Sequence, residues 1–410
     1  MSDDTSTTET PTRREYVKYG GAVLGGGLLA GCAGDTGSGT SPEPTETTTT
    51  TTETEVRDGT ATPADESYSV RMAPMGTVEF ETVPERIFTR LTHLAGMAFA
   101  LGRGDDVNAM HAPDYYHALW NQFTPRLDGV SVDWKGLYSS WTPSKEKLYE
   151  LDSDVHLADP AGIFALDKWD MGDVREVDEN LGPWFGNCYS DTHQEPPAEW
   201  AEAYEYYDLW EMFERVASVF REEARYEALA AVRADVLATI EADLPDAGER
   251  PTALMAGASD ITNPWVYKTE SPGFLNAHIR PLGAREALGS DVDSGVKIDM
   301  EAMLEADPDV IFVLGGMSPS MDVTAVRETL EDHSVGSRLS AVRNGRVYAQ
   351  GARYQGPILN LFQLEMTAKQ LYPERFGEWP TYEGGPYPEL PEDERLFERE
   401  RVADVINGMV

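Results

Sequence analysis

The chain contains one sequence pattern twice, as EKLYELDSDVHLA at residues 146–158 and as EAMLEADPDVIFVL at residues 301–314. Each copy opens with a glutamate at the start of an amphipathic helical segment. Each then passes an aspartate and ends in a run of apolar and β-branched residues that is typical of a buried strand. Because a helix that leads into a buried strand occurs in two distant places, the sequence predicts two α/β lobes of related plan and not one continuous sheet.

Between the two copies lies a long helical region, because residues 198–244 contain neither glycine nor proline. Apolar residues recur there at steps of three, four and seven, which predicts helix with a break near Arg221. The second part, from Glu222 to Asp243, is long enough to span roughly 30 Å, about the width of a small domain. We therefore expect a single long rigid helix to join the lobes. A coiled-coil or dimer seam is the alternative, although the strict seven-residue repeat is missing.

The first 32 residues predict export and attachment to the membrane. Arg13 and Arg14 precede a short, glycine-rich apolar stretch that ends in the segment LAGC at 29–32. Twin arginines before such a stretch are typical of an export signal, and small residues before a cysteine are typical of a lipoprotein signal with Cys32 as the lipidation site. A transmembrane helix is the alternative, but it needs about 20 apolar residues. The threonine-rich residues 33–66 predict a disordered tether.

The net charge excludes several classes of partner. The 33 basic and 72 acidic residues give a net charge of -39. Such a charge repels nucleic acid and anionic lipid headgroups and favours a monomer. Acidity spread over the whole chain is typical of a surface adapted to concentrated salt, as in halophilic proteins. Once Cys32 carries lipid, Cys188 is the only remaining thiol, so no intramolecular disulfide is expected.

These signals divide the folded part into an N-terminal α/β lobe at 67–200, a helical region with the interlobe helix at 201–245, a C-terminal α/β lobe at 246–380 and a C-terminal extension at 381–410. In the first lobe, TVEFETVPERIFTR predicts two short strands around a turn, and Leu94 to Gly102 predicts a helix. Predicted elements of the later parts are strands at 252–255 and 346–349 and helices at 274–277, 357–372 and 392–406. The predicted fold class is α/β, with two Rossmann-like lobes and a ligand cleft between them.

Several of these segments, taken in order, resemble the substrate-binding lipoproteins of ABC importers for iron-siderophore complexes, haem and cobalamin, the helical-backbone or type III family. The matching segments are VPERIF at 83–88, both copies of the helix-strand pattern, the helical region, VRNGRVYA at 342–349 and LYPERF at 371–376. Two features depart from the family: Ser153 stands where proline is usual, and residues 103–140 and 159–200 are unusually long and aromatic. These departures bear on the identity of the ligand more than on the fold.

The resemblance implies a location and partners. It implies a lipid-anchored protein on the extracellular face of the cell membrane, with an ABC permease and an ATPase as partners. It further implies that Glu146 and Glu301, one on each lobe, dock against arginines of the permease, which suits charge-steered association. Alternatively, both are ordinary acidic residues of a first helical turn, where the helix dipole favours them.

Ligands of open α/β lobes bind at the loops that follow the strands, so these loops hold the candidate site. The predicted ligand-binding residues are Arg90, Thr92, His93, Tyr138, Ser139, Ser140, Trp141, Asp159 and Tyr189 in the first lobe, and Trp265, Tyr267, Gly316, Met317, Arg353 and Tyr354 in the second. Aromatic rings and arginine forks suit a large, partly apolar ligand with anionic edges, such as a ferric chelate or a corrinoid. Because the joining helix is rigid, we expect little hinge motion on binding.

Other functions are less well supported by the sequence. It contains no nucleophile elbow, no HExxH and no phosphate-binding glycine loop, so neither an enzyme nor a cofactor is predicted. The seven histidines are scattered with no pair at helical spacing, so no metal site is predicted. We predict the extracellular solute-binding component of an ABC importer that captures an iron chelate (siderophore) or related large metal complex for the permease. Direct metal-ion, cobalamin or haem binding, and a surface receptor without a transport role, remain alternatives.

Overall fold

The computed structural model describes residues 67–409, so the predicted export signal, Cys32 and the tether lie outside the described residues. The strands are β1 (Tyr68–Met72), β2 (Gly76–Phe80), β3 (Ile87–Thr89), β4 (Val107–Met110), β5 (Tyr138–Ser139), β6 (Val155–Leu157), β7 (Thr252–Gly257), β8 (Trp265–Tyr267), β9 (Arg285–Glu286), β10 (Val296–Lys297), β11 (Val310–Leu314) and β12 (Val347–Ala349). The helices are α1 (Thr92–Ala100), α2 (Pro113–Trp120), α3 (Lys145–Leu151), α4 (Pro160–Phe164), α5 (Met171–Asn180), α6 (Ala198–Ala201), α7 (Leu209–Phe220), α8 (Glu223–Asp243), α9 (Met300–Ala306), α10 (Val323–Asp332), α11 (Ser340–Arg343), α12 (Gly356–Leu371), α13 (Pro373–Phe376) and α14 (Arg399–Ile406). Within 67–409 no helix is both long and apolar enough to cross a bilayer.

The first lobe is built on a parallel sheet of four strands in the order β5-β4-β3-β6. Both strands predicted in TVEFETVPERIFTR are present, but they do not pair around one turn. Instead β2 pairs with β1 in a separate antiparallel hairpin, while β3 lies inside the parallel sheet. The burial of the strands explains the difference. All three residues of β3 are buried, as in an internal strand, whereas β2 alternates between exposed and covered positions.

The second lobe has a mixed sheet in the order β10-β8-β7-β11-β12, with β9 beside β7. The central strands β7, β11 and β12 are parallel, and all five residues of β11 are buried. The predicted strands at 252–255 and 346–349 and the predicted helix at 357–372 are confirmed as β7, β12 and α12. The helix predicted at 274–277 is only a single 3₁₀ turn, Phe274–Asn276.

The repeated sequence pattern forms the same structure in both lobes. In each copy a two-turn helix leads directly into a buried strand, α3 into β6 and α9 into β11. Ser144 and Asp299 cap the two helices by accepting hydrogen bonds from a backbone N–H of the first turn, and Asp152 and Asp307 end them with φ of 47° and 34°. The prediction of two lobes of related plan is therefore confirmed.

Helix α8 joins the two lobes. It follows α7 after a break at Arg221, which has φ of 54°, as the sequence predicted. Helix α8 has 21 residues and leads to β7 of the second lobe. It buries one stripe of apolar side chains, at Leu229, Val232, Val236 and Ile240, so it is held along its length by packing.

A second contact between the lobes lies where α1 of the first lobe crosses α12 of the second. A Cβ atom added to Gly96 would lie 3.2 Å from Cα of Gly356, and one added to Gly356 would lie 3.0 Å from Cα of Gly96. Because glycine has no side chain, the two helices touch through their backbones. All sixteen residues of α12 are buried, so the lobes are in close contact at their base.

The C-terminal extension packs on both lobes. The backbone N–H of Tyr387 donates to the carbonyl of Gln122 in the first lobe, at 2.6 Å, and Arg399 pairs with the buried Glu365 of α12. The predicted helix at 392–406 is wrong in its start, because α14 begins at Arg399 and only a 3₁₀ turn, Glu392–Glu394, precedes it. Glu365 also accepts from the backbone N–H of Leu396, at 2.7 Å. This tertiary hydrogen bond holds the segment before α14 in a non-helical conformation.

Candidate functional site

Loops from both lobes meet in the crevice between the sheets. His93, in the first turn of α1 after β3, is fully buried there. Its ring centroid lies 4.5 Å from that of Phe274 and 5.6 Å from that of Tyr354, both from the second lobe. The structure therefore brings together residues that the sequence placed at the ends of β3 and β12.

The lobes are also hydrogen-bonded across the crevice. Tyr354 Oη donates to Asp191 Oδ2 at 2.8 Å. Burial raises the pKa of Asp191 above its ordinary value, and burial raises the pKa of the Tyr354 phenol well above its own. The backbones meet at the same place, because a Cβ on Gly273, which has φ of 91°, would lie 2.1 Å from the carbonyl oxygen of Asp191. The crevice is closed on this side.

Little empty space remains inside the crevice. A cavity of about 10 Å³ is left, and Tyr115 of the first lobe and Gly315, Arg353 and Tyr354 of the second contribute to its lining. That volume holds about one water molecule, whereas pockets for small molecules measure about 300–1,000 Å³. A ligand as large as a metal chelate fits only after some of these side chains move.

Arg353 lies on the second-lobe side of the cavity. Its side chain is only 6% exposed, and its guanidinium carbon lies 4.0 Å from the ring centroid of Tyr267. Burial lowers the pKa of Arg353, although a guanidinium stays charged in proteins. Its Nε has no hydrogen-bond acceptor, and the side chain makes no ion pair, among residues 67–409. Arg353 is thus a buried cation whose hydrogen-bonding capacity is not used up by the protein.

Arg90 is the corresponding buried cation on the first-lobe side, at 7% exposure. Its Nε donates to the carbonyl of Trp141 at 3.2 Å, and Nη1 lies 3.5 Å from the carbonyl of Gly162. The Trp141 ring, 37% exposed, has its centroid 5.2 Å from the guanidinium carbon. No carboxylate of the described residues forms an ion pair with Arg90.

Asp159 holds the first-lobe loops together. Its carboxylate accepts hydrogen bonds from the backbone N–H groups of Ala161 and Cys188, both at 2.8 Å, and from Tyr204 Oη at 2.6 Å. Burial raises the pKa values of the Asp159 carboxyl and the Cys188 thiol. Since three donors within the lobe already surround it, Asp159 positions the site and does not lie open to a ligand.

The other predicted site residues are dispersed. Ser140 is buried and its Oγ donates to the carbonyl of Thr89 at 2.7 Å. Tyr138 and Trp265 lie beside Lys147 and Lys297. Of the remaining predicted residues, Thr92, Gly316, Met317 and Tyr267 are buried, Tyr189 is half-buried and Ser139 is exposed.

Three residues that bridge the crevice were not predicted: Tyr115, Asp191 and Phe274. Tyr115 belongs to α2, which follows β4. The signal for it is the strand VNAM, which is short and includes the polar Asn108, so its apolar pattern is weak. Asp191 and Phe274 lie in single 3₁₀ turns that carry no periodic pattern.

Two buried histidines and the half-buried His111, all near the crevice, have lowered pKa values and are neutral at physiological pH. Burial lowers the pKa of His93 and of His278 to about 3 and that of His111 to about 4. Both ring nitrogens of His93 lack a hydrogen-bond partner among the described residues, whereas Nδ1 of His278 lies 3.0 Å from Gln355 Nε2. No group of three or more His, Cys, Asp or Glu residues that could hold a metal ion occurs within 67–409.

Glu146 and Glu301 occupy equivalent positions outside the crevice. Each is the second residue of its helix, α3 or α9, and each is exposed. Hydrogen bonds from its own backbone N–H and from Ser144 lower the pKa of Glu146. Neither glutamate forms an ion pair with another residue of the described range.

Comparison with known proteins finds a matching family model and several similar solved structures. Residues 183–354 match the family model described as "Periplasmic binding protein". A search of curated proteins finds no match. Among solved structures, a periplasmic binding protein from Veillonella parvula DSM 2008 is similar over 80% of this chain and 96% of its own, with 16% identity and a TM-score of 0.53.

Two further solved structures show the same likeness. The petrobactin-binding protein YclQ from Bacillus subtilis matches 75% of this chain and 99% of its own, with 13% identity and a TM-score of 0.51. The iron uptake ABC transporter substrate-binding protein PiuA from Streptococcus pneumoniae matches 76% of this chain and 98% of its own, with 16% identity and a TM-score of 0.50. The two-lobed fold of this chain is the fold of the periplasmic binding proteins, and over residues 183–354 its sequence matches that family.

Proposed function

We propose that this protein is the extracellular solute-binding component of an ABC importer and captures an iron chelate, such as a siderophore, or a related large metal complex for delivery to a permease. One observation supports this most directly: Arg90 and Arg353 are buried on the two sides of the crevice with no ion-pair partner among the described residues. Burying a charge without a partner costs free energy, and such groups cluster at functional sites. An anionic ligand between the lobes offsets that cost.

The surroundings of the two arginines favour a ligand with both anionic and apolar parts. Guanidinium groups bind carboxylate, hydroxamate or catecholate oxygens through paired hydrogen bonds. The rings of Trp141, Phe274 and Tyr354 supply apolar contact area close to those charges. Ferric chelates combine both properties, which also accords with the names of two structural neighbours, a petrobactin-binding protein and an iron uptake protein.

Loading requires the crevice to open. The hydrogen bond between Tyr354 and Asp191 contributes about 1 kcal/mol, which a chelate with several charged contacts offsets. The backbone contact of Gly96 with Gly356 and the helix α8 hold the base of the lobes. We therefore expect the aromatic side chains and loops at the mouth to move while the base stays in place.

Binding is tested by titrating the protein with a panel of ferric hydroxamate, ferric catecholate, haemin, cyanocobalamin and free Fe³⁺ and following tryptophan fluorescence. Trp141 lies at the site and is partly exposed, so a bound coloured complex quenches it. A ferric chelate that binds with micromolar or tighter affinity supports the proposal. Binding of cyanocobalamin, haemin or free iron alone favours the alternative ligands. No binding by any of the five overturns solute binding of this class.

Delivery to a permease is proposed to use Glu146 and Glu301. Two exposed carboxylates at matching positions on separate lobes give a two-point, charge-complementary surface. Changing both to lysine is expected to abolish uptake by cells while leaving chelate affinity unchanged. Glu179 and Glu305, changed together to lysine, are the control for a mere change of net charge. Uptake retained by the first double variant, or lost equally in the control, contradicts the docking role and points to a receptor without transport.

Membrane attachment through lipid on Cys32 is part of the same proposal. Replacing Cys32 by serine is expected to release the protein from the membrane fraction into the medium. A variant that stays in the membrane fraction contradicts attachment through lipid.

A further inference from the structure

A second cavity lies away from the crevice, where the C-terminal extension packs on the first lobe. Its volume is about 150 Å³. Three arginines line it, Arg126 from the first lobe and Arg395 and Arg399 from the extension, together with Glu389 and Glu400. The whole chain has only 33 basic residues against 72 acidic ones, so a concentration of three arginines around one cavity requires an explanation.

Two of these arginines are oriented by the backbone, and their terminal nitrogens form only long ion pairs with exposed glutamates. Arg126 Nε donates to the carbonyl of Tyr387 at 2.6 Å, and Arg395 Nε donates to the carbonyl of Leu390 at 3.0 Å. Their nearest carboxylates are Glu389, 4.0 Å from Arg126 Nη1, and Glu400, 3.9 Å from Arg395 Nη1. These distances exceed a hydrogen bond, so the terminal N–H groups of both forks have no acceptor among residues 67–409.

The third arginine has an unsatisfied donor as well. Arg399 is only 5% exposed and pairs with Glu365 through Nη2. Its guanidinium carbon lies 3.8 Å from the ring centroid of Phe397 and 4.5 Å from that of Phe362. Its Nη1 is buried without an acceptor in the described part of the chain. An unsatisfied buried donor on a charged group destabilises a structure unless something else accepts from it.

We propose that this cavity binds a small tetrahedral oxyanion of the phosphate or sulfate type. Such an anion presents several acceptor oxygens and so bonds to more than one arginine fork at once. Glu389 and Glu400 do not block it, because their side chains are 79% and 73% exposed and can turn into water. The bound anion connects the first lobe to the extension and holds the extension in place.

The test is calorimetric unfolding of the whole protein in about 20 mM sodium phosphate or sulfate, against sodium chloride of equal ionic strength. Both oxyanions are expected to raise Tm by about 3 °C. Arg395→Gln is expected to remove this rise. Arg71→Gln is the matched control, since Arg71 is an exposed arginine paired with the exposed Glu205, and it is expected to leave the rise unchanged.

Two more variants locate the site and distinguish loss of anion binding in Arg395→Gln from misfolding of that variant. Glu400→Gln removes a competing carboxylate and is expected to enlarge the rise in Tm, a gain that a merely damaged protein does not show. Arg353→Gln, in the crevice, is expected to keep the rise. The proposal is overturned if neither oxyanion raises the Tm of the unaltered protein or if the rise persists in Arg395→Gln. It is also overturned if Glu400→Gln leaves the rise unchanged or if Arg353→Gln abolishes it.

Discussion

The two sides of the crevice each bury an arginine, but they differ in how the protein satisfies it. Arg90 of the first lobe directs its guanidinium to two backbone carbonyl groups, those of Trp141 and Gly162. Arg353 of the second lobe stacks on Tyr267, and its Nε has no acceptor in the described range. The protein thus supplies acceptors for two donors of Arg90, whereas the Nε of Arg353 has none. We infer that Arg353 recognises the anionic part of a ligand and that Arg90 mainly positions the loops around it.

The difference between Arg353 and Arg90 is expected to have its largest effect on the affinity for the chelate. Arg353→Ala is expected to weaken binding of the chelate that quenches tryptophan fluorescence by about 100-fold, since hydrogen bonds to charged groups contribute about 1.5–3 kcal/mol. Arg90→Ala is expected to weaken it about tenfold and to lower Tm more, because it leaves two carbonyl groups without their donor. Fluorescence titration and calorimetry measure the two quantities. Equal losses of affinity in the two variants contradict the contrast.

A second prediction concerns the buried histidines. Here the side chain without a hydrogen-bond partner is on the first-lobe side, the opposite of the arginines. His93 on the first-lobe side has no hydrogen-bond partner in 67–409, whereas His278 on the second-lobe side is bonded to Gln355. His93→Phe is therefore expected to stabilise the protein at pH 7.5 by about 1 kcal/mol, and His278→Phe to destabilise it by a similar amount. Urea unfolding measures both. A loss of stability in His93→Phe shows that its ring is satisfied after all.

At acidic pH, the difference in free energy of unfolding between His93→Phe and the unaltered protein is expected to grow. Because burial lowers the pKa of His93 to about 3, the unfolded chain binds a proton more readily than the folded one. Stability from this group is present above the unfolded pKa of about 6.5 and is lost as the pH falls from there towards 3. At pH 4.5 the loss amounts to about 3 kcal/mol, which His93→Phe avoids. A difference that does not grow between pH 7.5 and pH 4.5 contradicts this account.

The smallest expected effect concerns the contact that joins the two sides. Tyr354→Phe removes the hydrogen bond to Asp191, about 1 kcal/mol, and is expected to raise the association rate of the chelate up to about fivefold by populating the open crevice. Tyr372→Phe is the control, since its Oη donates to the carbonyl of Leu282 within the second lobe at 2.7 Å. Stopped-flow fluorescence measures both rates. A similar change in the control contradicts a role for opening.

The sequence predicted the parts of the fold that depend on local pattern. The break at Arg221, the buried strand after α9 and the related lobes all follow from the spacing of apolar residues, which burial imposes directly. The start of α14 could not be predicted, because the acceptor that holds Leu396 in a non-helical segment is Glu365, 31 residues earlier in the chain. Helix propensity depends on neighbouring residues and so carries no information about a hydrogen-bond partner this distant in the sequence.

The site was predictable only in part, for a similar reason. Arg353 and Tyr354 were found because they follow a recognisable strand, β12, as His93 follows β3. Asp191 and Phe274 were not found, because their importance comes from contacts between the lobes. No pattern within either lobe encodes the distance between them.

The backbone contact between α1 and α12 sets how closely the two lobes approach at the base of the crevice. A methyl group on Gly96 would meet the Trp120 ring at 2.8 Å and the opposite glycine at 3.2 Å, with no space to absorb it. Alanine in place of Gly96 therefore requires the Trp120 ring or the backbone of Gly356 to shift, and it is expected to weaken the contact that sets how closely the two lobes approach.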